Sequence, residues 1–391
     1  MRVVIDATTW SNVRGFGRYT RSLVGCLLEL NGDDEYALLF DQRVPPGVRL
    51  PARARAVAVP TSAALDARLV GGGQRALADL WRMSVASARQ APDVVFFPSV
   101  DAYFPIPPGV PTVVTVHDAI PEDPELTGLS AAAGRRRRLK VWLALRQAAR
   151  VVFDSELSRR DLCRHYRLAR ERTAVVTCGA DDVFRPRADL EGARAAAAQL
   201  GARPPYLLYV GGPARHKNVA ALIAAFGRVA RRADVPRTTL AMVGPDDGGG
   251  RFRAVIAEQA AAHRVEDLVS YLGFRDDVGL ATLYQGAEAL VLPSLREGFG
   301  LTALEAVACG TPAVVTTGSP LPELLGAAAV AIDPRSEEDI ARGLAVVLGV
   351  PAARARLRAA ARALSGTFSW SRAAQTLRAT LTDVVARRPA A

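Results

Sequence analysis

Cysteine is scarce in this 391-residue chain, and the four present, Cys26, Cys163, Cys178 and Cys309, are scattered. No two share the short spacing of a zinc site, and no disulfide framework can be drawn. Each reads as a small, buried apolar residue in a reducing compartment. Long apolar runs are missing too: none approaches the ~20 residues that a membrane span needs. The start, Met1-Arg2-Val3-Val4-Ile5, reads at once as a buried strand and reaches Asp6 without the apolar core of a secretion signal. A cytoplasmic location is expected, with peripheral contact at the inner face of the membrane left open. Lysine is also scarce, yet the formal net charge is +11. Such an excess suits nucleic acid, anionic lipid or anionic small molecules. Finger spacings and aromatic RNA-binding signatures are both absent, so no nucleic-acid partner is expected.

What is present is a core-forming composition, with 50% hydrophobic and 23% charged residues. The length suits two domains at roughly 100–200 residues each. Short β-branched runs alternate with longer Ala/Leu/Arg helical stretches. Strands are predicted at Arg2–Ile5, Tyr36–Leu39, Val94–Phe97, Pro111–Val116, Arg150–Phe153 and Thr173–Val176. A second set falls at Tyr206–Val210, Thr239–Val243, Val269–Tyr271, Ala289–Leu292, Ala313–Val315 and Val330–Ile332. This alternation predicts an α/β fold of two doubly wound, Rossmann-like parallel sheets. The Pro/Arg-rich stretch from Phe184 to Pro205 separates them, giving domains 1–184 and 185–367. Residues 368–391 form an amphipathic helix that either completes the second domain or crosses back to the first. Ligands of such sheets bind at the carboxyl ends of the strands.

The segment Glu297–Pro312, EGFGLTALEAVACGTP, carries the most chemistry. It follows a strand and opens a helix that Gly310 and Pro312 end. The N–H groups of Gly300, Leu301 and Thr302 are then free at a helix N-terminus, which is a natural diphosphate site. Glu297, at the strand end, is placed to hold sugar hydroxyls, and Glu305 lies one turn inside the helix. Arg215 and Lys217, after the strand Tyr206–Val210, are cations of the kind that neutralise a departing diphosphate. His117 closes an apolar strand and so points into a crevice, although a lone histidine is more often structural. Gly15-Phe16-Gly17-Arg18-Tyr19 lies between the first strand and the first helix, where a lone Gly-x-Gly is a weak signal. The run Arg135–Arg138 with Lys140, Trp142 and Leu143 reads as a basic amphipathic helix. No metal site is expected: an Asp-x-Asp beside a donor pocket is absent, and Asp246-Asp247 and Asp276-Asp277 are read as turns.

The EGFGLTALEAVACGTP segment resembles the signature of retaining glycosyltransferases of the GT-B fold, specifically glycosyltransferase family 4. TVHDAIP at Thr115–Pro121, VVFDSELSRRDL at Val151–Leu162, YVGGPARHKN at Tyr209–Asn218 and YLGFRDD at Tyr271–Asp277 match in order, so the likeness covers nearly the whole chain. Thr302 departs from it, since the family often has proline there; a threonine still starts a helix. The resemblance implies two Rossmann-like domains facing across a cleft, acceptor in the first and nucleotide-sugar donor in the second, with the last helix packed back on the first. It implies Glu297 on sugar hydroxyls, Glu305 on ribose hydroxyls, and Gly298, Phe299, Gly300, Leu301 and Thr302 around sugar and phosphates. Lys217 becomes the phosphate lysine, Arg215 its partner, and Phe274 a further donor contact. His117 falls near the anomeric centre, and Asp118 either orients the acceptor or caps its loop. The Gly15–Tyr19 segment approaches the donor with Gly15 and Gly17 and the acceptor with Phe16, Arg18 and Tyr19. The expected activity is hexose transfer with retention to a glycan, lipid-linked or small-molecule acceptor. GDP-mannose is the first choice of donor, and no metal or other cofactor is required. Membrane contact through Arg135, Arg136, Arg137 and Arg138 is a further expectation. A nucleotide-sugar epimerase of the same architecture and a non-catalytic nucleotide-sugar-binding protein are the alternatives.

Overall fold

A computed structural model of the chain describes residues 1–12, 15–64, 75–118, 120, 123–127, 130–245 and 249–387. The chain divides into two compact units, Met1–Gly179 with Trp370–Ala391, and Ala180–Ser369. The division lies five residues before the one drawn from the sequence. Its cause is local: Ala180 N donates to Phe368 O (3.2 Å), and Ala180 bridges Ser369, so the segments that enter and leave the second unit pair with each other.

The first unit holds seven parallel strands: β1 (Arg2–Asp6), β2 (Glu35–Asp41), β3 (Ala54–Val59), β4 (Val94–Phe97), β5 (Thr112–Thr115), β6 (Ala148–Phe153) and β7 (Thr173–Val175). Their order is β3-β2-β1-β4-β5-β6-β7, so it reverses between β1 and β4. Helices α1 (Gly15–Glu29), α2 (Leu77–Ala88), α3 (Pro124–Thr127), α4 (Ala131–Gln147) and α5 (Glu156–Tyr166) connect them. One core cluster joins Met83 of α2, Val141, Ala144 and Leu145 of α4, and Leu162 of α5 to one face of the sheet. The sequence reading missed β3. It is an edge strand, and of its six residues only Val59 is buried, so no apolar run marks it.

The second unit holds β8 (Tyr206–Val210), β9 (Thr239–Val243), β10 (Val269–Gly273), β11 (Ala289–Leu292), β12 (Ala313–Thr316) and β13 (Ala329–Ile332), all parallel, in the order β10-β9-β8-β11-β12-β13. Its helices are α6 (Leu190–Gln199), α7 (Val219–Val229), α8 (Arg251–Ala262), α9 (Asp277–Gly286), α10 (Leu301–Ala308), α11 (Leu321–Leu325), α12 (Glu337–Gly349) and α13 (Pro351–Leu364). Here the order reverses between β8 and β11, both fully buried, which read as continuous apolar runs for that reason.

The last helix, α14 (Trp370–Ala386), belongs to the first unit. It buries Trp370, Ala373, Ala374, Leu377, Leu381 and Val384, one stripe at helical spacing. Trp370 meets Tyr19 of α1 edge-on (5.8 Å between ring centres). Arg378 donates to Asp34 (2.8 Å) and to the Asn31 carbonyl (2.6 Å), and Arg150 of β6 pairs with Asp383. Among the described residues, no helix is long and apolar enough to cross a membrane.

Candidate functional site

In an open parallel sheet, the crevice lies where the strand order reverses, outside the carboxyl ends of the two central strands. In the second unit those ends are the turns after β8 and β11. After β8 the chain runs through Gly211 and Gly212 into a single 3₁₀ turn, Arg215–Lys217. Asn218 follows with a left-handed backbone (φ 57°) and starts α7. Its side-chain amide donates to the Pro293 carbonyl (3.1 Å) and the Pro334 carbonyl (2.7 Å), while Leu295 N donates to His216 O (2.7 Å). The two turns are thus stitched together, and the stitching delivers Lys217 to Glu297.

Lys217 Nζ lies 3.1 and 2.9 Å from the two Glu297 carboxylate oxygens, and Ser294 Oγ donates to Glu297 Oε2 at 2.8 Å. Both charged side chains are largely buried, 22% exposed for Lys217 and 13% for Glu297. Burial alone would raise the Glu297 carboxyl. The Lys217 charge and hydrogen bonds, the Ser294 hydroxyl and His216 outweigh it and hold the group below its ordinary 4.5. His216 is held below its ordinary value by burial and by the adjacent Lys217 charge. An ammonium has three N–H donors, and two face Glu297, so one is left for a further anion.

Directly after Glu297, Gly298, Phe299 and Gly300 lead into α10 and are all buried. Gly300 has φ +83°, and a Cβ there would stand 2.6 Å from Leu321 Cδ1, so only glycine serves. Helix α10 starts with no side-chain cap, which leaves its N-terminal dipole at the crevice. Glu305, four residues inside the helix, is 2% exposed and accepts a hydrogen bond from the Tyr284 hydroxyl of α9 (3.0 Å). Arg215 is exposed and is not drawn into the Lys217–Glu297 pair. Phe274, just past β10, is 54% exposed. Asp276 accepts from Gly279 N (2.9 Å) as the N-cap of α9, with Asp277 in the first turn; Asp246 and Asp247 lie outside the described residues.

In the first unit the corresponding ends are those of β1, β4, β5 and β6. His117 follows β5. Its Nε2 lies 3.0 Å from the Pro98 carbonyl oxygen after β4, and its Nδ1 lies 3.3 Å from Asp154 Oδ2 after β6. Its ring also meets Phe16 (5.2 Å) and, edge-on, Tyr19 (4.6 Å). Burial works against protonating His117, but Asp154 and Asp118 together carry its pKa above the ordinary 6.5. Asp118 Oδ1 accepts from Ile120 N (2.8 Å), so of its two expected roles the loop cap is the one the geometry fills. Burial raises its carboxyl to about 6.

Three placements correct the sequence reading. Gly15–Tyr19 is the first turn of α1, not a loop before it. Gly17 is required there because a Cβ would stand 1.9 Å from the Asn12 carbonyl oxygen. Tyr19 is 2% exposed, with its hydroxyl 3.4 Å from Thr115 Oγ1; it supports His117 from below and is no open acceptor contact, whereas Phe16 and Arg18 are half-buried. Arg137 does not share the outer face of α4 with Arg135, Arg136 and Arg138, because it turns inward to Asp101 (3.2 Å). Ser294, Tyr284 and Asp154 were missed altogether. Ser294, three residues before Glu297, and Asp154, inside the VVFDSELSRRDL segment, left local signals; Tyr284 left none.

The two halves of the chain match two family models: Glycosyltransferase Family 4 over residues 13–184 and Glycosyl transferases group 1 over residues 195–364. The chain belongs to the GT-B glycosyltransferases. Among curated relatives of this GT-B chain, glycogen synthase of Mycobacterium tuberculosis is 36% identical over 52% of this chain and 52% of its own. D-inositol 3-phosphate glycosyltransferase of Thermobispora bispora is 31% identical over 71% of this chain and 66% of its own. The chain thus spans about half the length of the first of these curated relatives. Sucrose-phosphate synthase from Thermosynechococcus elongatus superimposes with a TM-score of 0.78 at 20% identity, covering 98% of this chain and 99% of its own. Anabaena Alr3699/HepE in complex with UDP-glucose does so with a TM-score of 0.73 at 17% identity, covering 98% and 99%. These two likenesses concern the fold.

Proposed function

We propose that this GT-B chain transfers a hexose from a nucleoside-diphosphate sugar to an acceptor hydroxyl, with retention of anomeric configuration. One observation carries the reading: Lys217, Ser294 and Glu297 are joined within 2.8–3.1 Å at the switch point of the second sheet, beside the uncapped start of α10. The third Lys217 N–H and the α10 dipole take the diphosphate and stabilise the charge that grows as it leaves. Glu297, kept ionised, accepts hydrogen bonds from sugar hydroxyls, and Glu305 takes the ribose hydroxyls. Gly298, Phe299, Leu301 and Thr302 border the phosphates. Arg215 approaches them from the open side of its turn, and Phe274 stands at the rim. In the first unit, Gly15 approaches the donor, Phe16 and Arg18 serve the acceptor, His117 serves the anomeric centre, and Asp118 caps its loop. The leaving diphosphate takes the acceptor proton, so positioning and electrostatics do the work without a covalent intermediate. The reading names no metal, and transfer should survive chelators.

GDP-mannose is the proposed donor, from the likeness of the Gly15–Tyr19 and His117-Asp118 segments to the mannosyltransferase-like subgroup of the family. A thermal-shift panel of nucleotide sugars tests it. Selective stabilisation by GDP-mannose supports the donor. The same response to UDP-glucose, the ligand of the Anabaena protein, replaces the donor and keeps the reaction. Replacement of Glu297 by Ala is expected to abolish transfer while the fold persists, and full activity in that variant would sink the assignment.

The outer face of α4 adds a partner. Leu139, Trp142 and Leu143 are 59%, 49% and 43% exposed, among exposed Arg135, Arg136 and Arg138. An aromatic–aliphatic strip within a cationic field suits the surface of an anionic bilayer. Co-sedimentation with phosphatidylglycerol vesicles that is lost in Trp142→Ala/Leu143→Ser supports it; equal binding to neutral vesicles contradicts it.

A further inference from the structure

His117 stands where neither ring nitrogen is free. The Pro98 carbonyl at 3.0 Å from Nε2 can only accept, so Nε2 carries a proton. On the other side stands Asp154, with Oδ2 3.3 Å from Nδ1 and a side chain only 3% exposed. Asp154 Oδ1 has no hydrogen-bond partner among the described residues; burial raises the carboxyl, and His117, ahead of a backbone N–H and the Ser158 hydroxyl, is the neighbour that most opposes this. A buried carboxylate without a cation is costly, and one proton must lie on the Nδ1–Oδ2 line. Imidazole is the more basic partner by more than two pH units in free form, so that proton rests on the ring.

We propose that Asp154 is a positioning residue that holds His117 doubly protonated and fixed in place, so that His117 acts on the transfer reaction as a rigid cation and not as the base that removes the acceptor proton. The clause on transfer rests on the glycosyltransferase reading above; the proton placement does not. It also agrees with the diphosphate acting as base, because a doubly protonated His117 has no lone pair to offer.

The groups around His117 agree. From α1 come Phe16 and Tyr19, both aromatic, and burial keeps the Tyr19 hydroxyl protonated. Asp118 is the next residue in the chain, and its carboxyl is raised to about 6 by burial. Asp101, in the 3₁₀ turn after β4, is half-buried; Arg137 and Lys140 hold its carboxyl below the usual range against desolvation, and it adds a further negative charge toward the ring. Cys178, near Asp154, is kept a neutral thiol by burial. The cations Arg137 and Lys140 are engaged with Asp101 instead of facing the imidazolium.

The test is a nitrogen-15 correlation spectrum of the full chain, which has only four histidines, with His117 identified by His117→Gln. In the wild-type protein both His117 nitrogens should show the protonated signature at pH 7. In Asp154→Asn burial is opposed only by Asp118, Asp101 and the Pro98 carbonyl, so the ring pKa should fall clearly below that of the wild type. Transfer by that variant should then fall about tenfold for each pH unit above the new pKa and recover on acidification, with donor KM little changed. An unprotonated ring nitrogen in the wild type at pH 7 overturns the proposal, as does an Asp154→Asn enzyme with wild-type kcat and pH profile. The wild-type spectrum decides the matter if that variant does not fold. A chain that transfers nothing from any donor would remove the transferase reading and leave the spectrum to decide where the proton is.

Discussion

Replacing Lys217 with Ala should destabilise the protein in a way that pH reveals. Glu297, 13% exposed beside Lys217, is then left with the Ser294 hydroxyl at 2.8 Å and the weaker pull of His216 to answer its charge. Two opposite charges 3 Å apart at an effective dielectric of about 20 attract by roughly 5 kcal/mol, part of which desolvation cancels. A net loss of about 3 kcal/mol follows, in line with other charged hydrogen bonds that lose one partner. At about 2–4 °C per kcal/mol, the melting transition of the second unit drops by roughly 6–12 °C at pH 7. The sign of the pH dependence is fixed by Glu297, whose carboxyl sits below its ordinary 4.5 when folded. Its contribution is complete above that value and is lost as pH falls through the folded one. The gap between wild type and Lys217→Ala should therefore be full at pH 7 and narrow below 4.5. Lys217→Ala/Glu297→Ala should melt above Lys217→Ala alone at pH 7, because it removes the stranded charge. Thermal melts of the three proteins from pH 7 to 3.5 check this. A gap under about 1 °C at pH 7, or one that widens on acidification, would refute the reasoning.

Three further substitutions follow from packing. Tyr284→Phe removes the hydroxyl that donates to Glu305 at 3.0 Å and should cost about 1.5–3 kcal/mol in urea unfolding, with weaker nucleotide binding. Gly300→Ala meets both a left-handed backbone and Leu321 at 2.6 Å, so a loss of about 2–4 kcal/mol is expected; an unchanged midpoint would show that α10 starts elsewhere. Trp370→Ala opens a cavity between α14 and Tyr19 and should cost about 3–5 kcal/mol, read in the first unit's transition.

Much of the fold was legible because strands buried on both faces, such as Leu207–Tyr209 and Leu290–Leu292, appear as apolar runs whatever surrounds them. Edge strand β3, held by β2 alone, has no such constraint and was invisible. At the candidate site, the Glu297–Pro312 segment declared its loop and helix because the left-handed positions at Gly300 and Gly310 demand glycine. The partners that set the charge states did not show. Tyr284 lies 21 residues from Glu305, and Asp154 lies 37 from His117, so each pairing exists only once the sheets have formed. The inward turn of Arg137 was hidden for the same reason, since a run of four arginines looks alike until Asp101 selects one.

The most direct test of the central claim is calorimetric titration of the intact chain with GDP, UDP, ADP and dTDP, run beside Lys217→Ala. One diphosphate should bind selectively, and its Kd should rise by at least about tenfold in the variant, the equivalent of 1.4 kcal/mol. Binding of none of the four, or equal affinity in the wild type and Lys217→Ala, would contradict it.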